Sequence, residues 1–272
     1  MTPLTRLLAL DIDGTLLPPR GGHNALPHDD IVQVIGELAA AGVVVVLASG
    51  RMYPGTARIA QHLGLHGPLI CQQGASVHEF DGSIRHRCAI DVDIAHELVA
   101  YARAGGWPFA WFDSTRYLAS APNAASSEFA AVSGIEPEYH VDPQRSGVAP
   151  TGIDIISSTT HASEVHRELA ARYGERVHLL DFPGVTAAHD PAASKGNAMA
   201  QMAAELGIAQ AETMAIGDSV NDASMLRWAG RGITLPHCDR YARAAADEVL
   251  GGQGIDGLVP LLRSVLQAHL RA

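Results

Sequence analysis

The sequence predicts an α/β fold in which a doubly wound parallel sheet is interrupted by an inserted α+β domain. Short, continuously apolar runs alternate with amphipathic helices in the first 75 residues, and the same alternation returns after Lys195. Between about residues 83 and 188, strand candidates outnumber helix candidates. Parallel strands that are buried on both faces form continuous apolar runs, and their alternation with helices is typical of a doubly wound sheet.

The first elements follow from simple patterns. The run LLAL at 7–10 is apolar throughout and predicts a buried strand. A helix is predicted over 28–41, because apolar residues recur at spacings of three and four and Asp29 and Asp30 occupy its first turn. The next predicted elements are a strand at 43–49, a short helix at 55–63 and a strand at 68–74.

The middle of the chain has a different character. Its predicted strands are 84–90, 108–112, 116–120, 152–157, 176–181 and 185–189, and its predicted helices are 93–104, 124–132 and 161–173. The adjacent strands PFAWF and RYLAS flank a turn at 113–115, which predicts an antiparallel hairpin. We therefore expect a discontinuous core domain of residues 1–82 and 189–272, with an α/β cap domain at 83–188. We expect the cap to close over the site about hinges at Gly82 and Pro191.

The C-terminal portion returns to the first pattern. A helix follows Lys195, with Ser194 as a plausible N-cap and Gly207 after its end. The remaining predicted elements are a strand at 213–218, a helix at 221–229, a strand at 232–235 and a terminal helix at 255–270.

Composition excludes several classes of function. The chain has 272 residues, 47% of them hydrophobic, and a formal net charge of −10, so it would repel a nucleic-acid backbone. Its longest aliphatic run is too short for a membrane span, and Asp11 interrupts any leader-like stretch at the N-terminus. Three widely spaced cysteines favour a reducing compartment. We expect a cytoplasmic protein that binds neither nucleic acid nor membrane; its oligomeric state stays open.

Acidic residues follow two predicted strands. Asp11 and Asp13 come directly after the first strand, and Asp218, Asn221 and Asp222 follow the strand at 213–218. Ligands bind at the carboxyl ends of strands in open α/β sheets, so these residues are expected to meet at one edge. Several carboxylates in one pocket require a cation, and Mg²⁺ suits them because it keeps waters and leaves room for a phosphate.

Two further motifs complete a possible anion site. Ser49 and Gly50 lie where a strand turns into a helix, so a hydroxyl and backbone N–H groups could cradle an anion. Lys195 opens a helix of the core, and its ammonium group could reach the end of a strand. In isolation, a Ser-Gly turn and a surface lysine are the more ordinary interpretations.

In this order, DIDGT, ASGR, SKGNA and GDSVNDASM resemble the four motifs of the haloacid dehalogenase superfamily. Only 35 residues separate Asp13 from Ser49, whereas 145 separate Ser49 from Lys195. An insertion between the second and third motifs is similar to the subclass IIB, or Cof-type, sugar-phosphatase branch. The resemblance implies a Rossmann-like core with an inserted cap domain.

The resemblance also implies a reaction and its residues. A small phosphorylated molecule, a sugar phosphate by the default of this branch, would transfer its phosphoryl group to Asp11, with Asp13 as general acid and base. Mg²⁺ would be held by Asp11, the main-chain carbonyl of Asp13, Asp218 and, through waters, Asp222. The phosphoryl oxygens would be gripped by Ser49, Gly50, Lys195 and Asn221. A phosphomutase using the same residues, or a non-catalytic module that binds a phosphorylated ligand, stays open as an alternative.

Some positions depart from the superfamily pattern. Ser49 replaces the usual Thr but keeps the hydroxyl group, and Gln73 replaces the usual Asn before Gly74 and Ala75. The run 235–238 reads LPHC where Met-Gly-Asn-Ala is common, and GQGIDG lacks the usual Asn before its Asp-Gly pair. These changes concern the rim of the site. Specificity is expected to lie in the cap, with Trp111 and Tyr117 as candidates.

Overall fold

The computed structural model describes residues 3–19, 22–252 and 254–271. Its strands are β1 Leu7–Leu10, β2 Val44–Leu47, β3 Leu69–Cys71, β4 Ser76–His78, β5 Ile84–Arg87, β6 Phe109–Phe112, β7 Tyr117–Ala119, β8 Glu138–Tyr139, β9 Gly152–Ile156, β10 His178–Phe182, β11 Val185–His189, β12 Thr213–Gly217, β13 Arg231–Thr234 and β14 Glu248–Val249. Its α-helices are α1 Asp29–Ala40, α2 Tyr53–His62, α3 Val92–Ala104, α4 Ala124–Ser133, α5 Ala162–Tyr173, α6 Lys195–Glu205, α7 Ala223–Trp228, α8 Arg240–Ala245 and α9 Ile255–Leu270.

The core is a parallel five-stranded sheet in the order β14-β13-β12-β1-β2. β1, which lies between β12 and β2, is fully buried, as the apolar run LLAL requires. Apolar residues of α1, α2 and α9 pack on one face of the sheet, and those of α6, α7 and α8 pack on the other. The predicted doubly wound α/β core is therefore confirmed.

The inserted segment forms a second sheet of six strands in the order β10-β11-β9-β6-β7-β8. Its pairs are antiparallel except β7 with β8, and β6 and β7 form the predicted hairpin. One face packs against α3 and α5 through residues that include Trp111. The opposite face carries Tyr117 and borders a cavity shared with the core. Trp111, a predicted specificity candidate, therefore does not line this cavity, because alternate residues of a strand point to opposite faces. Its effect on specificity stays a prediction.

A small third sheet, β3-β4-β5, joins the core sheet through a parallel bridge between Ala48 and Ile70. Gly82, with a φ of 91°, lies in the turn between the paired strands β4 and β5. This turn joins two strands of one sheet, which offers little freedom for domain closure, so the hinge at Gly82 stays a prediction. The chain enters the six-stranded region only after β5. The division of the chain into a core and a cap at 82/83 and 188/189 remains a proposal. β5 belongs to the predicted cap, but it pairs with β4, which belongs to the predicted core.

Several short elements escaped prediction: β4, β8, β14 and α8. They contain two to six residues each, too few to display a period. The predicted strand at 68–74 ends early, because Gln72 and Gln73 adopt φ values of 49° and 62°. Within the described ranges, no helix is both long and apolar enough to span a membrane.

Candidate active site

Two adjacent strands bring the acidic motifs together. β1 pairs with β12, and the backbone N–H of Asp11 continues this pairing by donating to the carbonyl of Ile216 at 3.0 Å. Asp11 and Asp218 therefore leave the same sheet edge side by side. Carboxylate oxygens of Asp11, Asp218 and Asp222 lie within 4.8 Å of one another. The predicted convergence is thus present for three of the four aspartates.

Lys195 is the cation of this cluster. Ser194 caps α6 by accepting from the N–H of Asn197, which sets Lys195 as the first helical residue. The Lys195 ammonium lies 2.7 Å from Asp11 Oδ1 and 2.6 Å from Asp222 Oδ1, and its side chain is fully buried. Burial alone would lower the pKa of Lys195, but the two carboxylates outweigh it and raise that pKa above its ordinary value. The two carboxylates therefore favour the ammonium form of Lys195.

The cluster nevertheless has an excess of negative charge. Burial raises the pKa of Asp11 well above its usual range, and repulsion by Asp222 adds to this effect while Lys195 opposes it. Burial and the charge of Asp222 raise the pKa of Asp218 to about 7. Three carboxylates face one ammonium group here. A divalent cation with oxygen ligands would remove the imbalance, so the donor set suits Mg²⁺.

Both oxygens of Asp222 are already engaged. Oδ1 accepts from Lys195, and Oδ2 accepts the backbone N–H groups of Asp218 at 2.9 Å and Ser219 at 3.0 Å. Asp222 therefore positions Lys195 and the loop after β12. The Asp218 carboxylate accepts from the Thr15 hydroxyl at 3.2 Å through one oxygen, and Asp11 likewise accepts from Lys195 through one oxygen. Because both oxygens of Asp222 are engaged, Asp218 and Asp11 are better placed than Asp222 for direct metal contact.

Asp13 stands apart from the acidic cluster and forms an ion pair with Arg51. Arg51 donates from Nε to Asp13 Oδ2 at 2.7 Å and from Nη2 to Oδ1 at 2.5 Å. The Arg51 side chain is 1% exposed, whereas that of Asp13 is 51% exposed. A two-point contact fixes the plane of the carboxylate. Sequence reasoning missed this role, although Arg51 is the last residue of the ASGR motif.

The candidate phosphate-binding residues divide into two groups. Gly50 and Asn221 line the cavity beside Asp11, whereas Ser49 and Lys195 lie beneath its surface. The Ser49 hydroxyl accepts from the backbone N–H of Arg51 at 3.1 Å. Ser49 therefore shapes the turn that aims Arg51, and its hydroxyl hydrogen is left to donate elsewhere.

Gln73 joins two of these loops. It lies in the left-handed region, where a residue other than glycine costs roughly 1–2 kcal/mol. Its Oε1 accepts from Asn221 Nδ2 at 2.6 Å, and its amide packs so tightly on Gly50 that a Cβ there would collide with it. The longer amide that departs from the superfamily pattern thus connects the second and fourth motifs.

The cavity above these residues has a volume of about 630 Å³ and lies between the core and the inserted segment. The core side contributes Asp11, Asp13, Gly50, Arg51, Gln73, Ser219 and Asn221. The inserted side contributes, among others, Tyr117, Glu128, Phe129, Asp154 and Phe182. A small molecule in this cavity would contact both parts of the chain.

A sequence model of the haloacid dehalogenase-like hydrolases matches residues 8–262. The chain belongs to this family. It is 24% identical over 297 residues to the phosphatase YwpJ of Bacillus subtilis (strain 168), an alignment that covers 96% of this chain and 100% of YwpJ. It is 25% identical over 261 residues to a phosphoglycolate phosphatase of Methanoculleus marisnigri, with 96% of each chain covered.

The fold agrees with that of solved haloacid dehalogenase-like proteins. A subclass IIB sugar phosphatase superposes with a TM-score of 0.79 at 20% identity, covering 96% of this chain and 98% of that one. These comparisons confirm the predicted family and fold class. They also agree with the prediction of a hydrolase acting on phosphoric monoesters.

One departure from the family pattern lies beside the acidic cluster. In the LPHC run, His237 Nε2 lies 2.8 Å from the Gly14 carbonyl oxygen, so this nitrogen donates. The same nitrogen is 3.8 Å from Asp218 Oδ2. His237 therefore connects the two acidic loops of this haloacid dehalogenase-like chain.

Proposed function

We propose that this protein is a Mg²⁺-dependent phosphatase that hydrolyses a small phosphomonoester, such as a sugar phosphate, through an aspartyl-phosphate. The observation that carries this proposal is the environment of Asp11. Its Oδ1 accepts from Lys195, while Oδ2 receives no hydrogen bond from any residue that the structure describes, and Asp11 lines the cavity. A carboxylate held on one side and open on the other is suited to nucleophilic attack.

In the first half-reaction, an Asp11 oxygen attacks phosphorus and the bond from phosphorus to the ester oxygen breaks. Asp13 supplies the proton that the departing alcohol takes up. The two-point pair with Arg51 holds Asp13 at the cavity wall as a carboxylate, so one of these hydrogen bonds must open when Asp13 carries the proton. Gly50 and Asn221 border the space that the phosphoryl oxygens would occupy.

In the second half-reaction, water attacks phosphorus and the bond from phosphorus to Asp11 breaks. Asp13 now takes the proton from this water, so it returns to its initial state. Asp11 regains its carboxylate and inorganic phosphate leaves. A phosphomutase would instead return the phosphoryl group to a second hydroxyl, so release of inorganic phosphate distinguishes the two activities.

The metal has a defined place in this scheme. When bound, Mg²⁺ supplies positive charge that lets an anionic carboxylate approach an anionic phosphate. Asp11 and Asp218 would hold it directly and Asp222 would support it, as the hydrogen bonds of the cluster indicate. The main-chain carbonyl of Asp13 is the further ligand that the family resemblance implies.

Metal removal is the first test. Chelation should abolish phosphate release, and Mg²⁺ should restore it, whereas Ca²⁺ should substitute poorly because of its looser coordination. Mg²⁺ should also raise the melting temperature of the protein without substrate, since it binds only the folded cluster. The shift should be larger at pH 8 than at pH 6, because a pKa of about 7 leaves Asp218 mostly protonated at the lower pH. Full activity after exhaustive chelation would contradict the proposal.

The role of Asp13 has a separate test. Asp13→Asn should slow hydrolysis of an alkyl phosphate by roughly 10²–10⁴-fold, the range for general acid–base catalysis. p-Nitrophenyl phosphate should suffer less in the first half-reaction, because nitrophenolate leaves without a proton. Burst kinetics would separate the two steps. Equal slowing of the phosphorylation step for both esters would rule out Asp13 as the acid.

A further inference from the structure

The inserted sheet presents one carboxylate to the cavity, that of Asp154 at the middle of β9. Its direct cross-strand neighbours are Ala187 on β11 and Ala110 on β6, and Ala119 lies beyond Ala110. Residues that are paired across strands share a face of the sheet. Asp154 therefore lies in a shallow depression whose surroundings are small methyl side chains.

Larger apolar side chains border this depression. Tyr117 and Phe129 pack with ring centroids 4.9 Å apart, and both line the cavity together with Phe182 and Ile156. Aromatic walls around a single polar group are typical of small-molecule sites. The depression is therefore shaped to accept part of a ligand.

Asp154 has little compensation for its charge. It is 8% exposed, and its contact among the described residues is one long hydrogen bond, 3.4 Å, from the Tyr117 hydroxyl to Oδ2. No described cation pairs with it, and burial raises the pKa of Asp154 to about 7. A buried carboxylate in this state stabilises the fold poorly, and an apolar residue would serve packing better. Its Oδ1 is available to a donor in the cavity.

The phosphoryl-transfer chemistry does not use this carboxylate. The proposed nucleophile, acid and metal ligands all belong to the core, whereas Asp154 lies on the inserted sheet across the same cavity. When a phosphoryl group is placed at Asp11, the part of the substrate that extends toward the inserted sheet is the leaving group.

We propose that Asp154, supported by Tyr117, is a specificity-determining residue that accepts a hydrogen bond from a hydroxyl or ammonium group of the leaving alcohol. This inference rests on the proposed phosphatase function. The favoured substrates are phosphomonoesters of polyols, sugars or amino alcohols. Esters whose leaving group is purely apolar, or carries a carboxylate as 2-phosphoglycolate does, are disfavoured because they leave Asp154 unpaired or repel it.

The test compares matched esters on two matched variants. Asp154→Asn removes the charge with little change of shape. Glu136→Gln removes the same charge from an exposed residue of the inserted segment that does not line the cavity. The esters are glycerol 3-phosphate against propyl phosphate, 2-aminoethyl phosphate against ethyl phosphate, and p-nitrophenyl phosphate as the generic substrate.

For the protein without substitutions, kcat/KM should be higher for at least one donor-bearing ester than for its apolar partner. Asp154→Asn should reduce that preference by about 10- to 100-fold, the range for a hydrogen bond to a charged group. The same variant should change kcat/KM for p-nitrophenyl phosphate by less than about threefold, and Glu136→Gln should leave the preference intact. The pair of esters whose preference falls in Asp154→Asn shows whether Asp154 accepts from a hydroxyl or from an ammonium group.

Three outcomes would overturn the inference: no preference for either donor-bearing ester, one common factor for all esters in Asp154→Asn, or an equal effect of Glu136→Gln. A merely structural role would lower the melting temperature of Asp154→Asn and scale every substrate alike. Tyr117→Phe is a second variant, and it should weaken the same preference while keeping the aromatic wall. Failure of the phosphatase proposal itself is recognised separately, since p-nitrophenyl phosphate would then not be hydrolysed in an Asp11-dependent manner.

Discussion

Asp11→Asn should reduce phosphatase turnover by at least about 10⁴-fold, because the amide cannot attack phosphorus and no intermediate can form. The same variant should be as stable as the parent protein or more stable. It removes one of three neighbouring carboxylates, of which Asp11 and Asp222 share the Lys195 ammonium group. Phosphate release under saturating substrate measures the first effect, and thermal unfolding without Mg²⁺ measures the second.

An exposed aspartate provides the control for this variant. Asp29 lies in the first turn of α1, so Asp29→Asn should leave turnover unchanged. Beryllium fluoride, which mimics a phosphoryl group on a carboxylate, should attach to Asp11. Attachment to Asp13, or near-parental turnover in Asp11→Asn, would reverse the assignment of nucleophile and acid.

Lys195→Met should lower the free energy of unfolding by about 3–5 kcal/mol, the usual cost of removing one partner from a buried ion pair. Asp11 and Asp222 would then be buried without a cation. Turnover should fall as well, because the Asp11 carboxylate loses the contact that orients it. Urea denaturation without metal measures the stability, and phosphate release with Mg²⁺ measures the activity.

A compensating substitution separates charge from packing in this variant. Adding Asp222→Asn to Lys195→Met should recover part of the lost stability, because it removes an uncompensated carboxylate, while activity stays low. Loss of stability that the second substitution does not recover would show that methionine simply fits badly.

Lys195 is also the single lysine of the chain, and its side chain is fully buried. Acylation of the native protein should therefore modify only the N-terminal amine.

The chain contains 19 Lys and Arg residues, and all but Lys195 are arginine. An ammonium group is a compact point charge that can donate to two carboxylates at once, whereas a guanidinium group is a wide planar fork. The fully buried space between Asp11 and Asp222 therefore suits lysine and not arginine. This is a physical reason for the identity of the residue at the third motif.

Local signals were sufficient for much of the architecture. The core strands β1 and β2 are continuous apolar runs and α1 has a clear apolar stripe, so their existence required no knowledge of partners. The predicted helix at 255–270 coincides with α9, and the hairpin of β6 and β7 is present as expected. The acidic residues at strand ends also predicted the cluster, because parallel strands that pair must end at one edge.

Tertiary structure decided the features that depend on contacts between distant segments. Arg51 and Asp13 are 38 residues apart, and only the turn after β2 brings the guanidinium group onto the carboxylate. The burial of Lys195, the engagement of both Asp222 oxygens and the left-handed Gln73 have the same origin. The sequence also could not show which face of β6 meets the cavity, and Trp111 lies on the face that packs against α3 and α5.

Asp154 is the clearest case of this division. In sequence it is one acidic residue within the apolar run GIDII, and no local pattern gives it a function. Its position in a depression among alanines depends on pairing with β6 and β11, which are remote in the chain. The sequence by itself determined the chemistry at the strand ends, because adjacent residues carry it. The environment of the leaving group depended on the register of the inserted sheet, because cross-strand neighbours define it.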